Sequence, residues 1–197
     1  MNIITHALIG WCAGNRISRQ PAEVAVVAAA SLVPDIDAAG ALVDLVRGGE
    51  AELFSAFHHK FGHCLPFCLL LTIFVWRWRK NASLALWCAA LFHLHLLGDI
   101  VGARGPDGYQ WPIYYFFPFS EYALVWSSQW EINAWPNLVL TVLLIFLFLR
   151  QVAVAGFSPL VFLSRTADKK LVLTLRRRFK TPDQAGVSGA DNRGGLS

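Results

Sequence analysis

Five apolar runs, at 2–14, 22–34, 64–76, 84–101 and 135–149, limit what this chain can fold into. A helix needs about 20 apolar residues to cross a bilayer, with a lower limit near 17. The run at 84–101 reaches that limit alone; those at 64–76 and 135–149 reach it with a few flanking residues. Soluble domains carry about a quarter charged residues. Here 15% are charged and 55% are hydrophobic, with eight Trp and fourteen Phe. The pattern predicts an integral membrane protein, an all-α membrane helical bundle with about five membrane-associated helices.

The basic residues give that bundle a direction. Arg16 and Arg19 lie between the first two runs, Arg77, Arg79 and Lys80 follow the third, and nine more from Arg150 to Arg193 follow the last. The alternate connections hold only Arg47, Lys60 and Arg104, beside Asp44, Glu50, Glu52, Asp107, Glu121 and Glu131. Basic loops stay cytoplasmic, so the runs alternate in direction and the C-terminus is expected in the cytoplasm. The net charge of +4 is then topological, and no nucleic-acid partner is expected. Residues 1–163 read as the membrane-embedded domain and 164–197 as a basic, partly disordered tail. Its "KKLVLTLRRRFK" suits anionic lipid or a cytoplasmic protein partner. Trp126, Trp130 and Trp135 suit an interfacial aromatic belt.

No basic stretch precedes the first run, so it reads as part of the mature fold and not as a signal peptide. Cys12, Cys64, Cys68 and Cys88 all fall in apolar runs without CxxC spacing and read as buried thiols.

Alternating direction brings the remaining polar residues to one side, away from the cytoplasm. His6 opens the first run, Asp35 and Asp37 follow the second at Pro34, His59 and His63 open the third, and His95 and Asp99 close the fourth. His59 and His63 are spaced i, i+4, as are His95 and Asp99, which on a helix puts each pair on one face. Imidazole and carboxylate suit zinc and related divalent ions. The expected ligands are therefore His6, Asp35, His59, His63, His95 and Asp99. Asp37 reads as a further ligand, as a carboxylate holding an imidazole, as a helix N-cap or, if it binds no metal, as the catalytic base. His58 and His93 fall off these faces. The surplus over four ligands fits two ions, or one ion with carboxylates steadying its imidazoles. The lack of Cys in the set argues against a purely structural zinc.

These readings combine into a membrane-bound metal-dependent hydrolase, its site facing the non-cytoplasmic side, in which metal-activated water attacks a phosphoester. A 13-residue helix rises only about 20 Å against a hydrocarbon core of about 30 Å. Ligands recessed in this way, beside the aromatic "YQWPIYYFFPF", suit a phospholipid-like substrate. A metal or proton transporter is the rival for such residues, but the "CLLLTIFVW" and "LALWCAAL" that lie below them are almost wholly apolar. A hydrogen-bonded polar interior without metal is the structural alternative.

The segments "THALIG", "LVPDID", "HHKFGH", "HLHLLGD" and "WPIYYFFPFS" resemble, as an ordered set over residues 1–120, the YdjM-like family of bacterial inner-membrane proteins. The resemblance implies a metal-dependent hydrolase of the inner membrane whose site holds His6, Asp35, Asp37, His59, His63, His95 and Asp99. This sequence departs from the family pattern at Lys60, Gly62 and Cys64, where the family has Arg, Thr and Ser. The family also implies an alternative, a non-enzymatic protein that binds the LexA repressor. A remoter similarity, to the helical zinc phospholipases C and single-strand nucleases, implies multi-zinc phosphodiester hydrolysis. Those enzymes carry a later His-x-x-x-Glu, whereas residues 100–197 here contain no histidine.

Overall fold

The structure is a computed structural model that describes residues 1–48, 58–105 and 108–181. Glu50, Glu52, Asp107 and the tail from residue 182, expected to be disordered, lie outside the described residues. Among those described, seven α-helices form and no β-strand: α1 Ile3–Ile17, α2 Pro21–Ala30, α3 Gly40–Arg47, α4 Leu65–Arg79, α5 Ala82–Gly102, α6 Trp135–Ala155 and α7 Arg165–Phe179. Two 3-10 segments, Val33–Ala39 and Pro159–Phe162, link them. Local chemistry sets the boundaries. The Asn2 and Asn81 side chains accept from the backbone N–H groups of Thr5 and Leu84, starting α1 and α5. Pro21 and Pro66 sit in the first turns of α2 and α4, where no intrahelical N–H is needed.

The chain divides into two compact units, Met1–Phe146 and Leu147–Ser197. In the first, α1 and α2 meet at Gly10 and Gly14, one helical turn apart. A Cβ on Gly10 would lie 2.0 Å from Ser31 Oγ, and one on Gly14 would lie 3.0 Å from the Val24 carbonyl. Only glycine permits this approach, the small-residue contact typical of membrane helices. Val27, Ala30, Val75, Leu84, Ala85, Cys88 and Leu91 form the apolar core beside it. In the second unit, Val152 and Ala153 pack on Val172 and Leu175 of α7, and Asp168 accepts from the Ser158 backbone and hydroxyl at 2.7 and 2.6 Å.

Four of the five apolar runs fall, to within a residue, in single helices, whereas 22–34 breaks after Ala30 and passes through a turn into the first 3-10 segment; the lengths also differ from the sequence reading. Among the described residues, α5 and α6, at 21 residues each, are long and apolar enough to cross a membrane. A third span is available if α2 and Val33–Arg47, bent by 56°, act together. With 15 residues each, α1 and α4 rise only about 22 Å. All four cysteines are buried thiols, as the sequence reading expects.

Candidate metal centre

One end of the bundle collects the polar residues. His6 lies near the start of α1, Asp35 and Asp37 follow α2 in the first 3-10 segment, His63 stands just before α4, and His95 and Asp99 close α5. The helix expected from about residue 57 begins only at Leu65, and residues 58–64 form successive turns. The i, i+4 spacing of His59 and His63 is therefore not a helical face, which corrects the sequence reading. Cys64 is extended with Pro66 after it, and His59 is left-handed at φ 66°. The turn closes on the 3-10 segment through Gly62, where a Cβ would lie 2.0 Å from the Pro34 carbonyl oxygen. Close backbone contact thus accounts for a glycine at position 62.

Asp35, His63, His95 and Asp99 place one ligand atom each within 4.8 Å of all the others. His95 Nε2 is 2.9 Å from Asp99 Oδ2, 3.3 Å from His63 Nε2 and 3.4 Å from Asp35 Oδ1. His63 Nε2 is 3.4 Å from Asp99 Oδ2 and 3.9 Å from Asp35 Oδ1. His63, His95 and Asp99 are buried. The opposite ring nitrogens are held from behind. His63 Nδ1–H donates to Asp37 Oδ2 at 3.0 Å, and His95 Nδ1–H donates to the Ser31 carbonyl at 2.8 Å. In a neutral imidazole this leaves the Nε2 lone pair pointing inward.

Two such lone pairs and two carboxylates facing one another in a largely buried cluster repel, unless a cation or a proton joins them. Asp99 Oδ2 is buried without a hydrogen bond. The amino group of Met1 meets the other Asp99 oxygen and brings positive charge to it. A divalent ion fits this donor set: nitrogen and oxygen ligands, imidazoles already in the ligating tautomer, and carboxylate and carbonyl support behind them.

The remaining expected residues surround the four. His6 lies outside the four-atom group; its Nε2 is 3.1 Å from Asp99 Oδ1, and its ring stacks on His95 with centroids 3.8 Å apart. The His59 ring lies 4.4 Å from that of His63, with Nδ1 buried and unpartnered. Asp37 spends both oxygens on support: Oδ1 accepts from His58 Nδ1 at 2.9 Å, and Oδ2 accepts from His63 and from the Gly62 N–H at 3.0 Å. Of the roles open to Asp37, this geometry matches the carboxylate that holds an imidazole. Burial lowers the pKa of His63, but its hydrogen bond to Asp37 and the nearby Asp99 carboxylate outweigh that and raise it above the usual histidine value. Burial, reinforced by nearby His63, keeps His59 well below that value and therefore neutral.

Sequence reasoning missed three contributors. His58 joins Asp37 because the turn, not a helix, sets its direction. Trp111 packs edge-on against His58 and His59 at 5.4 and 5.5 Å between ring centroids; the aromatic stretch was its only signal. The Ser31 carbonyl is a backbone group, invisible to residue-type reading. His93 stands apart, between the Ala89 carbonyl and the Tyr115 hydroxyl, both at 2.8 Å. Arg104 pairs with Glu131 at 3.1 Å, and the Lys60 ammonium lies 5.1 Å from the Tyr114 ring centroid.

Residues 1–173 match the family model of the YdjM inner membrane protein. No curated protein and no solved structure matches the chain.

Proposed function

The chain belongs to the YdjM inner membrane protein family, and from that premise we propose that it is a membrane-bound metal-dependent hydrolase of phosphoesters. The observation that carries the reading is the inward convergence of two Nε2 lone pairs and two carboxylates in a buried pocket. Asp35, His63, His95 and Asp99 would hold a divalent ion, zinc by the chemistry of the donors. His6, with Nε2 3.1 Å from Asp99 Oδ1, and the neutral His59, with its ring 4.4 Å from that of His63, would be the next nitrogens available to it or to a second ion. When bound, such an ion supplies Lewis acidity and makes water acidic enough to attack near neutral pH.

The protein's own residues do the positioning. Asp37 and the Ser31 carbonyl fix the two imidazole rings. Asp35, with its side chain 18% exposed against 3% or less for His63, His95 and Asp99, marks where an ester enters. In the reaction the water oxygen bonds to phosphorus as the ester P–O bond breaks, and the water proton passes to the leaving alcohol. The distribution of Lys and Arg supports a site on the periplasmic side with the basic C-terminal segment in the cytoplasm.

The test is hydrolysis of bis-p-nitrophenyl phosphate by purified protein, as isolated, after chelation and after zinc is restored. Loss on chelation and recovery with zinc is the expected result. Turnover that is absent in the zinc-loaded protein, or indifferent to chelation, overturns the reading.

A further inference from the structure

Helix α3 is built the wrong way round for water. It follows directly on the segment that carries Asp35 and Asp37. Leu42, Leu45 and Val46 are 67%, 76% and 88% exposed, while Asp44 is 6% exposed. A helix lying on a water-facing surface turns its apolar stripe inward and its charges outward; α3 does the reverse. Its exposed Arg47 stands at the last turn, where a long side chain can carry its charge out of an apolar layer. Ile36 in the preceding segment is 62% exposed, and Phe61, on the turn that Gly62 closes against Pro34, is 50% exposed. Apolar side chains thus border the metal pocket on two elements. Exposed apolar side chains concentrated on so short a stretch mark contact with membrane or partner.

The bilayer is the occupant that fits. Residues Val33–Arg47 together with α2 are apolar enough for a membrane although bent by 56°, and the family is one of inner membrane proteins. We infer that α3 lies in the lipid with its apolar face outward, so that the metal pocket opens toward the bilayer and takes a phosphate ester carried by a membrane amphiphile. The substrate part of this inference rests on the hydrolase reading above; the placement of α3 does not. The acyl chains would lie along α3 and Phe61 while the phosphate reaches the pocket past Asp35. The bond change is the same hydrolysis, with water as co-reactant.

Two measurements on full-length protein in vesicles of phosphatidylethanolamine and phosphatidylglycerol test it. A nitroxide is placed at Val46→Cys and, for comparison, at the exposed Ser127→Cys; the four native thiols are buried. Oxygen should relax the Val46 label more than a water-soluble nickel chelate does, with the order reversed at Ser127. Dominant relaxation by the chelate at Val46 overturns the inference. So does spin–spin broadening that unlabelled protein dilutes away, since a second copy would then cover the face. In the same vesicles the zinc-loaded protein should cleave phosphatidylglycerol or phosphatidylethanolamine. Cleavage of bis-p-nitrophenyl phosphate without any lipid cleavage sinks the substrate claim and leaves the hydrolase standing. Cleavage of neither removes the hydrolase reading and the substrate claim with it, while the spin labels still decide where α3 lies.

Discussion

Helix α5 carries one buried stripe with two characters. Leu84, Cys88 and Leu91 lie on the same face as His95 and Asp99, three or four residues apart, and all five are buried. The first three pack against Val27, Ala30 and Val75 in the apolar core. One turn further on, the stripe meets Asp35 and His63. The abrupt change teaches that the polar cluster stops partway along α5. An ion pathway needs polar groups that continue through the membrane, and here the apolar half of α5 interrupts them. That contrast favours chemistry at the pocket over transport through it.

The contrast can be broken most severely at its boundary. Replacing His95 by Leu extends the apolar half by one turn; it should leave a folded protein, as judged by thermal unfolding in detergent, yet lower phosphoester turnover by about a thousandfold or more. Turnover within a few-fold of wild type would show that the two halves do not differ in function. The opposite substitution, Leu91→Ala, opens a cavity in the apolar half. It should cost about 2–5 kcal/mol of stability with metal content unchanged, a pairing that thermal unfolding and elemental analysis together would check.

Much of this division was legible in the sequence. The Lys and Arg distribution alone sent His6, Asp35, His63, His95 and Asp99 to one end, and the fold brings them there. The helical spacing of His95 and Asp99 held because α5 is continuous through Gly102. The same spacing failed for His59 and His63, because Gly62 and Pro66 favour a turn closed against Pro34, a contact distant in sequence. The role of Asp37 was left open for a similar reason: only the folded turn shows that both its oxygens are taken. The support from Ser31 is a carbonyl that any residue type would offer.

Smaller effects sharpen the account of the polar half. Asp37→Asn removes the carboxylate that orients His63 without removing a ligand of the four. It should weaken metal affinity by about 10–100-fold, measured by competition with a chelating dye; an unchanged affinity would return Asp37 to the role of a base or a bystander. The pH dependence is smaller still. Without metal, His63 holds its proton above the usual histidine value because Asp37 and Asp99 favour the charged ring over the cost of burial. Metal needs the neutral ring, so uptake should release that proton. Apparent affinity should fall by about tenfold per pH unit below the raised value and level off above it. Calorimetry in buffers of different ionisation enthalpy reads the proton directly.

The most direct measurement is the metal content of purified wild type, His63→Ala and Asp99→Ala, each shown to be folded by its thermal transition. The account predicts about one or two zinc-class ions per wild-type chain and little or none in either variant. Equal content in all three proteins, whether high or low, would contradict it.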